Sequence, residues 1–391
     1  MESLRNTYDI LLKERVSTIR RGLLDTIDTR ARLIAIKGSR GVGKTNFLLD
    51  FAREYHAGDP DCLYVNINNL FFATEGLFHF AERFHKLGGK TLLLDQAHKY
   101  PGWDKELREV YDAFPDLQVV FTISSILRVK SNRYLQGVVT MYNLGGLSFR
   151  EFLELETGEK FPVFSFREIV ERHEEIAAEV VRKVRPLAHF DNYLRYGFYP
   201  IYLEEKSHID YLLKNINLTL EFDIPYNNQI ELKYLTKLKQ LLYAVAKGNG
   251  NINISRLSGE VGVSRATILN YLHYMKNARL LTLLFDRESD DENGLKPNLV
   301  YMHNPNLLCA VCLDEVDGMM VRKTFFVSQL CPVAKLHYSE GEDFLVDGTY
   351  DVSVRAEGDR GRIKGGTVVM GDMVERGRKN VVPLWLAGFV Y

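Results

Sequence analysis

Residues 38 to 45 read Gly38-Ser39-Arg40-Gly41-Val42-Gly43-Lys44-Thr45, a complete G-x-x-x-x-G-K-T loop, and it constrains the fold more than any other part of the chain. The run before it, Leu33-Ile34-Ala35-Ile36, is short and apolar like a buried strand. The run after it, Asn46 to Arg53, has helical spacing. Strand–loop–helix is the setting in which this motif cradles phosphate. Its glycines let backbone N–H groups converge on phosphate oxygens, and the helix N-terminus adds a dipole that favours anions. In such a loop Lys44 reaches the β- and γ-phosphates and the Thr45 hydroxyl ligates Mg²⁺. The eight residues therefore predict a nucleoside triphosphate site on a parallel α/β sheet.

A phosphate loop needs an acid for Mg²⁺ at the end of a neighbouring strand. Thr91-Leu92-Leu93-Leu94-Asp95 supplies one, so Asp95 joins Thr45 as a metal candidate. The next residue is Gln96, where many ATPases of this organisation place a glutamate that polarises the attacking water. An amide cannot accept the water's proton, and general-base help of this kind is worth about 10²- to 10⁴-fold. Gln96 is thus expected as a degenerate, water-positioning residue that leaves hydrolysis slow or absent. Thr122 and Ser124, ending the Leu117–Thr122 run, read either as γ-phosphate sensors or as a polar turn.

Short apolar runs alternate with amphipathic ones as far as residue 145: Leu33–Ile36, Cys62–Ile67, Thr91–Asp95, Leu117–Thr122 and Thr140–Leu144, with helices such as Phe78–Lys86 and Asp104–Ala113 between them. That alternation implies a P-loop NTPase sheet with helices on both faces, preceded by an entry helix or two. From 148 to about 240 the pattern is helical and charged, and Glu168 to Arg185 reads as a solvated face. After a loop at Gly248–Asn253, residues 254–272 have helix-turn-helix form, with the turn at Gly262 and Ser264 as N-cap, and Leu280–Phe285 would begin a wing. The last ninety residues carry β-rich runs at Asp343–Val346, Tyr350–Val354 and Val382–Val390, separated by turn residues such as Gly348 and Gly365-Gly366.

With 391 residues and a net charge of −1, several domains are expected and no whole-molecule pull on nucleic acid. No apolar run approaches a membrane span and the N-terminus lacks a signal-peptide core, so a cytoplasmic protein is expected. Four cysteines fit a reducing compartment. Cys309 and Cys312 form one C-x-x-C without a second pair to complete a metal site, and packing is expected of them.

Together Gly38–Thr45, Leu92–Pro101, Trp103, Phe121–Leu127 and Gly146-Leu-Ser-Phe-Arg-Glu-Phe152 resemble the bacterial and archaeal AAA-type ATPases whose C-terminal half is the domain of unknown function 4143. Tyr193-Leu-Arg-Tyr-Gly197-Phe-Tyr-Pro200 is similar to that group's Y-L-x-Y-G-G-Y-P signature. The helix-turn-helix, His303–Leu307 and Arg322–Phe326 also match, so the resemblance covers essentially the whole chain. It implies ATP as the nucleotide, which no base-specificity motif such as N-K-x-D decides. It also implies an AAA/STAND-like core at 1–147, a helical lid at 148–240, a winged helix at 241–295 and an α+β, restriction-endonuclease-like module at 296–391.

The departures from that group point to a pseudoenzyme. Gln96 stands for Glu, Ile123 for Gly, and Gly137 and Val138 for a pair of arginines, with Arg133 out of register. In the nuclease-like module Asp343 remains, but Ser353 replaces an acid and Lys323 a glutamate, leaving Asp351 and Glu357 as further carboxylates. Metal-dependent DNA cleavage needs convergent acids, so nuclease activity is not expected. The leading expectation is an ATP- and Mg²⁺-binding switch protein whose nucleotide orders the parts that follow the sheet. One alternative is a duplex-DNA-binding regulator with a vestigial nucleotide site, in which Ser264, Arg265 and Thr267 meet bases and Arg256, Lys276 and Arg279 meet phosphates. The other is an active ATPase whose base is Glu75 or Glu106. The sequence leaves the partner and oligomeric state open.

Overall fold

The computed structural model describes residues 1–127, 132–204, 208–286, 295–313, 316–356, 358–359 and 364–391. Glu357 and residues 287–294 lie outside these. The chain divides into two compact units, Met1–Gly145 and Gly146–Tyr391.

The first unit opens with helix α1 (Glu2–Glu14) and builds a sheet from β1 (Leu33–Gly38), β2 (Cys62–Asn66), β3 (Thr91–Asp95), β4 (Gln118–Ser124) and β5 (Thr140–Asn143). The helices between them are α2 (Lys44–Tyr55), α3 (Phe72–Glu75), α4 (Leu77–Lys86) and α5 (Trp103–Ala113). All five strands are parallel, in the order β2-β3-β4-β1-β5. Strands β1 to β4 are almost wholly buried and each carries a run of at least three consecutive apolar residues, as parallel strands covered on both faces do, with polar residues gathered toward their ends. The expected strands agree to within two residues at either end. The order matters for the site: β4 lies between the strand that leads into the phosphate loop and the strand that ends in Asp95, so the end of β4 sits between them.

The second unit is mainly helical. Its helices are α6 (Phe149–Thr157), α7 (Phe166–Lys183), α8 (Pro186–Asn192), α9 (His208–Leu218), α10 (Ile224–Asn228), α11 (Leu235–Ala246), α12 (Ile254–Val261), α13 (Arg265–Asn277), α14 (Pro305–Cys312) and α15 (Gly318–Leu330). Strands β6 (Leu281–Leu284) and β7 (Leu299–Met302) form an antiparallel ladder. A mixed sheet runs in the order β12-β11-β10-β9-β8, from β8 (Leu336–Tyr338), β9 (Phe344–Val346), β10 (Tyr350–Arg355), β11 (Val368–Gly371) and β12 (Val381–Pro383). Its β8, β9 and β10 pair antiparallel, whereas β10, β11 and β12 pair parallel.

Val382–Val390, expected as β-rich, is strand only at its start; Leu384–Phe389 is a 3₁₀ helix. All six of its residues are buried, and an apolar run buried on every side carries no period to tell strand from helix.

Within the second unit, three of the segments that carried the resemblance, 146–152, 193–200 and 322–326, meet in one aromatic core. Phe149 of α6 packs edge-on against Phe190, Tyr193, Phe325 and Phe389. Ser148 caps α6 in a reciprocal box with Glu151. Residues 148–240 and the C-terminal sheet share this core: α7 lies on β12, and the His173 ring nitrogen Nε2 is 3.0 Å from the Lys379 carbonyl oxygen. Tyr193–Gly197 forms a π-helical turn. A Cβ on Gly197 would stand 2.5 Å from the Tyr193 ring and 2.7 Å from that of Phe152, so only glycine fits there. The wide turn leaves backbone groups for an outside partner, and the buried Asn306 side chain takes them. It donates to the carbonyls of Tyr193 (3.0 Å) and Leu194 (2.9 Å) and accepts from Phe198 N–H (2.8 Å).

Candidate nucleotide site

Gly41 and Gly43 adopt φ of 83° and 90°, in the left-handed region that favours glycine. At Gly38 the constraint is space: a Cβ would lie 2.7 Å from the Leu144 carbonyl oxygen and 2.9 Å from Val42 Cγ2. The loop thus folds tightly from β1 into α2, with Gly43 as N-cap. The Lys44 ammonium donates to the carbonyls of Gly38 (2.9 Å) and Ser39 (2.8 Å). From outside the motif, the buried Arg21 guanidinium donates to the carbonyls of Val42 (3.2 Å) and Gly145 (3.0 Å). Arg21 therefore braces the loop; in the sequence it is one of two adjacent arginines, Arg20 and Arg21, ahead of the first strand.

Asp95 is 1% exposed and is the centre of the polar network. Its Oδ2 accepts from the Thr45 hydroxyl at 2.7 Å and from the Tyr64 hydroxyl at 3.0 Å; its Oδ1 accepts from the Thr122 hydroxyl at 2.6 Å. Tyr64 pairs with Leu93 across β2 and β3, which makes Asp95 its diagonal neighbour on the same face. Burial first, and then the Asp95 carboxylate, pushes the Tyr64 phenol well above its ordinary pKa, so it stays a proton donor.

Gln96 has φ 57° and its N–H donates to Thr122 Oγ1 at 2.8 Å. The Thr122 hydroxyl is fully buried and engaged on both sides, as acceptor from Gln96 and donor to Asp95. Ser124 pairs with Gly38 at the mouth of the loop, and Ser125 N–H donates to the Gly38 carbonyl. The two substitute bases have other partners. Glu75 pairs with Arg83 at 2.8 Å, while Glu106 accepts from the Tyr100 hydroxyl and from Phe78 N–H. The Arg133 guanidinium lies 4.5 Å above the Tyr134 ring.

In the second unit, α12 and α13 meet at Gly262 (φ 71°), and Ser264 caps α13. The Ser264 and Thr267 hydroxyls are 2.8 Å apart and Ser264 Oγ accepts from Thr267 N–H, so both serve the cap, whereas Arg265 is exposed. Asp343 accepts from Lys323 at 2.5 Å and from Val354 N–H at 2.8 Å; Asp351 accepts from Ser339 instead. Cys309 and Cys312 lie on α14, the second buried. Among the described residues no three His, Cys, Asp or Glu side chains converge as a metal cluster, and no helix is long and apolar enough to cross a membrane.

Residues 30–153 match the family model of the AAA domain. The first unit carries a P-loop AAA-type nucleotide-binding domain. Residues 187–314 match a second model, a domain of unknown function, DUF8612, which spans the Tyr193–Pro200 and His303–Leu307 segments joined by Asn306. A curated relative, the uncharacterised protein MJ1544 of Methanocaldococcus jannaschii, is 24% identical over 277 residues, covering 65% of this chain and 56% of the relative. The chain thus spans little more than half of that relative's length. Among solved structures, a STAND protein with a tetratricopeptide repeat sensor from Pyrococcus horikoshii aligns at 15% identity and TM-score 0.30, over 79% of this chain and 44% of that one. AMPPCP-bound DnaA from Aquifex aeolicus aligns at 15% identity and TM-score 0.27, over 71% of this chain and 88% of that one. Scores this low do not establish a shared overall arrangement.

Proposed function

We propose that this protein is an ATP- and Mg²⁺-binding switch that hydrolyses ATP slowly or not at all. The observation that carries the reading is the Thr45–Asp95 hydrogen bond beside a loop with positive-φ glycines, followed by Gln96 where a base would stand. The donor set fits a Mg²⁺–triphosphate. Backbone N–H groups of Gly41 to Thr45 and the Lys44 ammonium would hold phosphate oxygens. The Thr45 oxygen would ligate the ion while its O–H goes on donating to Asp95. When bound, Mg²⁺ neutralises phosphate charge. Gln96 can orient a water but cannot take its proton, and neither Glu75 nor Glu106 is among the hydrogen-bond partners of Asp95 or Gln96.

Mg²⁺-ATP turnover by the unmodified protein, beside Gln96→Glu and with Lys44→Ala as blank, tests this. The expected result is turnover at the blank for the unmodified chain and a gain of about 10²-fold or more for Gln96→Glu. Turnover well above the blank in the unmodified protein would refute the switch reading.

A second reading, duplex nucleic-acid binding through α12 and α13, is favoured by one observation. Residues 232–279 hold eight Lys and Arg against a single Glu, in a chain whose net charge is −1. Lys237 reaches within 3.4 Å of the Cβ position of Gly262, at the turn that Arg265 follows. The winged-helix description rests on this helix pair with the β6–β7 ladder. The connecting sequence Asp286 to Glu292 has five acids to one arginine, so the helices and not this acidic connection would meet phosphates.

A further inference from the structure

We propose that Tyr64 is a positioning residue of the Mg²⁺-dependent nucleotide site, an inference that rests on the nucleotide-binding reading above. An ionised carboxylate offers about four lone-pair positions. Three at Asp95 are filled by hydroxyls: Thr45 and Tyr64 on Oδ2, Thr122 on Oδ1. Two of these donors belong to positions that the phosphate loop and the strand end call for. Tyr64 belongs to neither. It comes from the adjacent strand, is 4% exposed, and its ring stacks 6.4 Å from that of Tyr8 on α1, whose own hydroxyl turns to Cys62 Sγ.

With Oδ2 saturated, the carboxylate cannot swing to present both oxygens to an ion beside Thr45. One acceptor position remains, on Oδ1, and it would be available to the hydration shell of a cation held by Thr45. Tyr64 thereby limits Asp95 to a single outer contact and fixes where it points. Removing the phenol oxygen frees a second lone pair on a buried carboxylate and lets the group rotate. Loss of an outer partner of a metal-binding group typically lowers metal affinity about 10- to 100-fold.

The test measures binding of a fluorescent ATP analogue to the full chain across a Mg²⁺ series and in EDTA. Tyr64→Phe, which keeps the ring, is compared with Tyr8→Phe, which removes a hydroxyl from the same packed layer without touching Asp95. The expected result is a Mg²⁺ half-saturation raised at least about 10-fold in Tyr64→Phe, with unchanged affinity in EDTA and no shift in Tyr8→Phe. A wild-type Mg²⁺ response in Tyr64→Phe overturns the proposal. So does an equal loss with and without Mg²⁺, which marks a purely structural role. If the unmodified chain binds no more nucleotide than Lys44→Ala under any condition, the nucleotide-binding reading itself fails, an outcome distinct from both.

Discussion

His303 packs with its Nδ1 3.3 Å from the Thr282 hydroxyl, and its pKa is held down to about 3, by burial first and then by the positive charge of Arg279. Between that value and its ordinary 6.5 the unfolded chain binds a proton that the folded chain refuses. Stability therefore falls as pH drops through this window and is fully regained above 6.5. Because part of the residue still meets solvent, the effect at mildly acid pH is about 1–2 kcal/mol. Urea midpoints measured between neutral and mildly acid pH should fall less steeply for His303→Gln than for the unmodified protein. Equal slopes would show that other groups account for the acid sensitivity. Residues were legible in sequence where chemistry fixes their spacing: Lys44 and Thr45 in the loop, Asp95 at a strand end. Tyr64 was not, because a strand tyrosine announces only burial; its hydroxyl reaches Asp95 through the β2–β3 register, which local sequence does not set.

Asn306 joins two elements that lie more than a hundred positions apart. It ends the Asn304-Pro305-Asn306 start of α14, where Asn304 caps the helix and Pro305 opens it, and it satisfies the π-turn at Tyr193–Gly197. Truncation to alanine leaves a buried N–H and two carbonyls without this partner. Asn306→Ala should cost about 3 kcal/mol or more, read as a lower denaturation midpoint. A loss under about 1 kcal/mol would mean that the turn rewinds to ordinary α geometry at little cost. Elements of the first unit were readable because parallel strands are short, apolar and separated by amphipathic helices. The π-turn was not, since it is defined by its distant partner and by the ring contacts that exclude a side chain at Gly197. Leu384–Phe389 shows the same limit from the other side: complete burial erased the period that distinguishes helix from strand.

Across the whole chain, charge is sorted by position although the total is near zero. Residues 232–279 are strongly basic, while the sequence between β6 and β7 is acidic. If α12 and α13 engage duplex phosphates, binding should weaken steeply with salt, and Lys237→Ala with Arg265→Ala should reduce the log–log salt slope by about 2. An unchanged slope in the double variant would remove this face from consideration. The composition hid this asymmetry, because a net charge of −1 averages over stretches of opposite sign.

The ion pair between Lys323 on α15 and Asp343 before β9 has a further consequence. A group tethered within the same fold competes at an effective concentration of millimolar or above. A dissolved divalent cation must displace a counter-ion that never diffuses away, so raising its concentration is a weak lever on Asp343. Lys323 thus acts as a built-in plug, and opening Asp343 to cations requires replacing a residue of α15.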